Sequence, residues 1–308
     1  MKHYSVLLKE SIEGLHIQPN GIYVDGTLGR GGHSLEIVKH LTKGHLYCFD
    51  RDETAIIESK ERLKDYLDKI TFIHAPFSQI KQALAQYDVH HIDGLMLDLG
   101  VSSPQFDEAS RGFSYRFDAP LDMRMDQSQS FNAKQLVNEA DFHELVQTLS
   151  RYGEEPFAKQ IARKIESYRQ TQPIETTFQL VEIIKSALPS KVLNKKGHPA
   201  KKTFQALRIA VNAELQELEM VLDAGMELLN VGGRIAVISF QSLEDRIVKE
   251  RFHAVAKPKK TNKRIPLLEE EEMPFKIISR KPIVADEQEL AENQRSHSAK
   301  LRIIERMK

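Results

Sequence analysis

A single cysteine, Cys48, stands among the 308 residues, so an internal disulfide is excluded, and a disulfide-stapled secreted scaffold with it. No apolar run approaches the roughly 20 residues that cross a bilayer. Met1 to Glu10 lacks the long apolar core of a signal peptide. These absences predict a protein of the reducing cytoplasm with no membrane partner. Charge of one sign is missing as well: Lys+Arg and Asp+Glu both total 44, and a net charge of zero gives no global attraction to polyanions. Any affinity for nucleic acid must come from local patches. The histidines are scattered and the cysteine has no partner, so no metal cofactor is expected. What is present, 41% apolar and 29% charged residues, suits a globular chain with room for one large domain or two ordinary ones.

Residues 1–100 alternate β-rich apolar runs with helical patterns. Gly21 to Asp25, His45 to Asp50, Ile70 to His74 and Ile92 to Leu99 read as strands, with helices over about 34–41, 52–67 and 78–87. Apolar runs this continuous point to a parallel sheet covered on both faces. After Gly100 the rhythm stops, and from about Arg111 to Lys202 only helical periodicity and loops remain. Asp141-Phe-His-Glu144 reads as a helix cap, and Val181, Ile184 and Leu188 as an apolar stripe. The α/β pattern resumes with one long helix over about 203–229, a Gly232-Gly233 turn, a strand from Arg234 to Phe240 and a helix capped by Ser242-Leu-Glu-Asp245. Phe275 to Arg280 and Lys300 to Arg306 read as two strands joined by a polar loop, hence an antiparallel pair. The expected architecture is a discontinuous α/β domain, 1–110 with 203–308, carrying an all-helical insert over 111–202. A plain dinucleotide-binding fold ends in a sixth parallel strand. The class I S-adenosylmethionine-dependent methyltransferases instead have a Rossmann-like seven-stranded sheet with an antiparallel last strand, and the sequence looks like the second.

In open α/β sheets the ligand lies beyond the carboxyl ends of the strands, so those ends are where chemistry is sought. The first reads Asp25-Gly-Thr-Leu-Gly-Arg-Gly-Gly-His33, with Gly31, Gly32 and His33 as the closest contacts to a ligand at a helix N-terminus. Its glycines do not fall in G-x-G-x-x-G register, since Ser34 stands at the third position, and such a turn serves equally as a tight β-α connection. Asp50 follows at the spacing of a carboxylate that binds ribose hydroxyls, or is simply a helix N-cap. Phe77, after the third strand, suits an adenine or the core of the next helix. Asp98 closes the fourth strand; a buried carboxylate followed by glycine is costly without a partner, so it is expected to face the ligand crevice. Gln105, seven residues on, has both a donor and an acceptor to offer, or is a solvated loop residue.

With these residues in place, the whole chain resembles the bacterial small-subunit ribosomal RNA methyltransferase H, or MraW, family. The resemblance is carried by Asp25 to Ser34, Asp98 to Gln105, Arg111-Gly-Phe113, Pro120-Leu-Asp-Met-Arg-Met-Asp126, Tyr152-Gly-Glu-Glu155, Thr203 to Arg208 and Ile238 to Val248. Pro120 to Asp126 and Ser242-Leu-Glu-Asp-Arg-Ile-Val248 are its most specific parts. The resemblance implies methyl transfer from S-adenosylmethionine to the N4 amine of a cytidine in the decoding region of 16S ribosomal RNA, within the small subunit. Its cofactor contacts fall on Gly31, Gly32, His33, Asp50, Phe77, Asp98 and Gln105, the strand-end residues already singled out. Gln241 departs from the pattern, where histidine is expected in many members.

Methyl transfer from a sulfonium asks mainly for alignment and exclusion of water, so neither a covalent nucleophile nor a general base is assigned. The loop Ser102-Ser-Pro-Gln-Phe106 stands where amino-methyltransferases commonly carry Asp/Asn-Pro-Pro-aromatic. Its backbone carbonyls and Ser103 are expected to orient the amine, with Phe106 as a stacking surface. For RNA, Lys191, Lys195, Lys196, Lys201 and Lys202 form an acid-free patch at the border of the insert, which is expected to recognise the substrate. Lys257 to Arg264 forms a second patch, partly cancelled by Glu269 to Glu272. A nucleotide-dependent oxidoreductase would use the same glycine turn and Asp50, but the off-register glycines and the two helix-poor last strands speak against it. The other alternative is a non-catalytic RNA-binding module.

Overall fold

The computed structural model describes residues 5–101, 103–258 and 272–308, the side chains of Ser103 and Pro104 excepted. Seven strands form one sheet: β1 (Ile22–Asp25), β2 (His45–Asp50), β3 (Ile70–His74), β4 (Ile92–Asp98), β5 (Leu229–Ser239), β6 (Phe275–Ile277) and β7 (Lys300–Arg306). Their order is β3-β2-β1-β4-β5-β7-β6. The first five run parallel, and β7 is antiparallel to both of its neighbours, pairing Ala236 with Ile303 and Lys276 with Glu305. The continuity of the apolar runs has its reason in two buried faces. Successive side chains of a strand point to opposite sides. Accordingly Leu95 and Leu97 of β4 enter one core with Phe49 and Val237, while Met96 between them enters the other with Tyr23, Leu46 and Ile238.

By its internal contacts the chain divides into two compact units, Met1–Gly100 with Leu215–Lys308, and Val101–Glu214. The helical unit is thus wider at both ends than the 111–202 segment read from the sequence. The single helix expected over 203–229 is two helices, Lys201–Val211 and Glu214–Leu228, separated where Ala213 takes a left-handed φ of +49°. The first of them belongs to the helical unit because it buries Phe204, Leu207 and Val211 among Leu145, Leu149 and Ile161. Three smaller readings are corrected. Gly232 and Gly233 sit in an irregularity inside β5, between the Ile92–Leu229 and Gly94–Arg234 pairings, and not in a free turn. Gln241, not Ser242, is the N-cap of helix Ser242–Ala256, where Glu244 accepts the Phe240 and Gln241 backbone N–H groups. The connection before β7 holds a short helix, Glu287–Glu292, capped by Asp286.

Inside the helical unit the family-specific segment 120–126 has a structural account. Arg111 reaches across it, donating from Nη2 to the Arg124 and Met125 carbonyls. Buried Asn212 accepts the Met125 N–H at 2.8 Å and donates to the Met123 carbonyl. Arg124 grips Asp122 through two of its nitrogens and the Gln127 and Gln129 carbonyls through the third. Every polar backbone group named here would otherwise need water, so the segment is held as one piece. Asp141 caps helix Phe142–Gly153 as expected, and Val181, Ile184 and Leu188 are buried.

Candidate active site

The carboxyl ends of β1, β2 and β4 meet around the glycine turn. Asp25, fully enclosed at the end of β1, accepts the Ser34 hydroxyl at 2.6 Å and the Thr27 N–H at 3.0 Å. Thr27 Oγ1 in turn accepts the Asp98 N–H at 2.6 Å, which ties the β1 turn to the end of β4. Asp50 accepts the Gly29 N–H on Oδ2 at 2.8 Å and the Asp52 N–H on Oδ1 at 2.9 Å, tying the same turn to β2. The N-cap role belongs to Asp52, whose side chain accepts the Thr54 N–H, so Asp50 is not the cap. Burial lifts Asp50 to about 6 against the pull of those two N–H groups. Gly31 is the residue before helix Gly32–Lys39, at φ +69°, a conformation that favours glycine.

His33 is buried in the first turn of that helix, and its Nε2 lies 3.1 Å from the Val6 carbonyl. A carbonyl only accepts, so Nε2 carries the proton and Nδ1 presents a lone pair. Burial holds the ring below the usual histidine range, hence neutral. Nδ1 faces Asp98 Oδ2 at 3.8 Å, and the other oxygen, Asp98 Oδ1, is buried without a hydrogen-bond partner. Asp98 thus presents a buried, unpartnered oxygen beside the His33 ring. Burial pushes the Asp98 carboxyl up to about 7, while the Arg295 guanidinium pulls it down. Arg295 stacks over the Phe240 ring at 5.8 Å. Phe77 is half-buried, its ring facing the Arg51 guanidinium at 5.7 Å, and Arg51 pairs with Glu217. Gly26 lets Phe77 approach: a Cβ there would stand 3.3 Å from the Phe77 Cβ and 2.6 Å from Leu97.

Six of the seven residues read from the sequence therefore belong to one unit, around neighbouring strand ends. Gln105 is in the other unit, buried in the short helix Ser103–Asp107. Sequence reading missed Thr27 and Ser34, which satisfy Asp25, and Arg295. The signal for the first two is their place in the glycine turn that follows a strand-end carboxylate, two and nine residues on; Arg295 lies too far along the chain for any local pattern. The residues present fit a cofactor that brings hydrogen-bond donors to Asp98 and His33 and a diol to Asp50. Of the lysine patch, Lys191, Lys195, Lys196 and Lys201 are exposed and without an ion pair among the described residues, whereas Lys202 donates to the Glu154 carbonyl at 2.9 Å. Next to them His198 stacks on Tyr115 at 4.2 Å, and burial, with Lys185 and Arg116, holds it below the usual range. Most of the second patch, 259–264, lies outside the described residues, as do Ser102 and the side chain of Ser103. Among the described residues no group of three or more His, Cys, Asp or Glu is placed to hold a metal ion. No helix among them is long and apolar enough to cross a membrane.

A sheet ordered β3-β2-β1-β4-β5-β7-β6 with β7 antiparallel, and acidic residues at the ends of β1, β2 and β4, defines a class I methyltransferase. The model of the MraW methylase family matches residues 1–307, and the chain belongs to that family, whose methyl donor is S-adenosylmethionine. It is 55% identical over 309 residues to "Ribosomal RNA small subunit methyltransferase H" of Limosilactobacillus fermentum, covering 99% of this chain and 98% of that one. Identity is 53% to the protein of the same name from Oceanobacillus iheyensis, covering 99% and 95%. A solved structure described as a putative rRNA-methylase from Clostridium thermocellum aligns over 99% of this chain and 98% of its own, at a TM-score of 0.47 and 12% identity.

Proposed function

We propose that the protein methylates the N4 amine of a cytidine in the decoding region of 16S ribosomal RNA, acting in the cytoplasm on the small ribosomal subunit. The observation that carries the reading is the unpartnered buried oxygen of Asp98 beside His33 at the end of β4, in a chain so similar to proteins named for this RNA. S-adenosylmethionine would supply a sulfonium methyl group: its S–CH3 bond would break as the N–CH3 bond forms in line, leaving the thioether S-adenosylhomocysteine, and the amine proton would then go to solvent.

The protein's part is to hold and align. Asp98 and His33 Nδ1 receive the α-ammonium of the cofactor, Asp50 its ribose hydroxyls, and the Gly31-Gly32 turn lets the backbone come close. Phe77 flanks the adenine. Phe106, 39% exposed, offers a surface for stacking the target base. The helical unit recognises RNA, with Lys191, Lys195, Lys196 and Lys201 on phosphates.

The test is transfer of labelled methyl from S-adenosylmethionine to small subunits that lack the modification, followed by nucleoside analysis. Labelled N4-methylcytidine is the expected product. Cofactor binding with label on another nucleoside, or on none, would move the substrate elsewhere.

A further inference from the structure

The residues before the first helix, Ser5 to Leu7, lie against the cofactor turn. A Cβ on Gly32 would stand 1.8 Å from Ser5 Oγ, and the Val6 carbonyl is the group that fixes the His33 tautomer. This strap is held in an unfavourable conformation: Leu7, fully buried, sits at φ +49° and ψ +38°, where a branched side chain is strained. Something must over-determine it. The Leu7 N–H is accepted by Glu289 Oε1 at 2.9 Å, and the same oxygen accepts the hydroxyl of buried Ser296. Glu289 stands on the helix Glu287–Glu292, and it also acts electrostatically on His33.

Resting on the reading that His33 and Asp98 hold the cofactor's amino-acid end, we propose that Glu289 is a positioning residue for that end. It pins the strap through Leu7, the strap's Val6 carbonyl keeps the proton on His33 Nε2, and Nδ1 is thereby left as the acceptor beside Asp98. Without the pin, Leu7 relaxes out of the left-handed region, Val6 withdraws, and His33 is free to turn or to change tautomer. A donor on Nδ1 would then compete with the ligand's ammonium for Asp98. The adenosine end, held at Asp50 and Phe77, does not depend on this chain of contacts.

The experiment compares two probes by calorimetry on the full-length, unliganded protein: S-adenosylmethionine, and 5′-methylthioadenosine, which keeps the adenosine and sulfur but lacks the amino-acid tail. Glu289→Ala is expected to weaken S-adenosylmethionine by roughly three- to tenfold, the scale of one hydrogen bond's net contribution. The 5′-methylthioadenosine affinity should stay within twofold. Glu289→Gln, which keeps an acceptor oxygen for Leu7 and Ser296, is expected to restore wild-type binding. Equal weakening of both probes by Glu289→Ala, or no weakening of either, would overturn the proposal. Wild-type protein that binds neither probe would instead remove the cofactor assignment on which it rests.

Discussion

Asp98 shows how a single group can weaken a fold and serve a site. Its carboxyl titrates at about 7 in the folded protein against 3.8 for the free side chain, because burial disfavours the charge. Between those two values the native state holds a proton that the unfolded chain has released, so this group's contribution to stability falls as pH rises through that window and stays low above 7. Asp98→Asn removes the buried charge. Unliganded Asp98→Asn should therefore melt no lower than wild type at pH 8, with the difference shrinking at pH 5, as read by thermal denaturation. The same variant should bind S-adenosylmethionine at least about tenfold more weakly, the scale of a charge-assisted hydrogen bond. Calorimetry should also show wild-type affinity improving from pH 6 to 8, with no such slope in the variant. A variant that loses stability and affinity together would point to a purely structural aspartate.

Elements are held by fewer residues than their length suggests. Gly112 sits at φ +70°, and a Cβ on it would stand 2.3 Å from the Pro120 carbonyl, so Gly112→Ala should cost about 2–4 kcal/mol in chemical denaturation. Asn212→Ala strips the Met125 N–H of its acceptor and the Met123 carbonyl of a donor, and should cost about 1–3 kcal/mol by the same measurement. The strands and their closing carboxylates, Asp25, Asp50 and Asp98, are legible in the sequence because runs buried on both faces end sharply at a charge. The antiparallel pairing of β7 is legible because no helical pattern of crossover length precedes it. The break at Ala213 is not: alanine is a strong helix former, and nothing in the residue type marks the left-handed turn that Arg208 and Glu214 bridge. The strap and Arg295 escape for a related reason. Leu7 meets Glu289 across 282 positions, and Arg295 meets Phe240 and Asp98 from well outside their own segments, so no local period records them.

Across the molecule, charges that cancel in sum are separated in place. Several surface cations of the α/β unit stand beside acids, as Lys39 does with Glu36 and Arg251 with Asp223, whereas Lys191, Lys195, Lys196 and Lys201 have no acidic partner among the described residues. Replacing Lys191, Lys195, Lys196 and Lys201 together by glutamate should weaken RNA binding and reduce its dependence on log salt by about 3. Cofactor affinity should not change, and an unchanged salt slope would exclude the patch as a phosphate surface.

The strand order also bears on how the protein is made. β4 lies at the centre of the finished sheet, yet its partner β5 is encoded only after the whole helical unit. At 5–20 residues per second, a nascent chain spends on the order of ten seconds with four strands emerged and an apolar edge open. An unpaired edge of that kind is a template for association between chains. The helical unit, with its own core, is complete within that interval, so the ribosome releases a folded body before the sheet can close. Slowing or destabilising that middle segment should then raise aggregation of the flanking halves, a liability set by gene order and absent from the equilibrium fold.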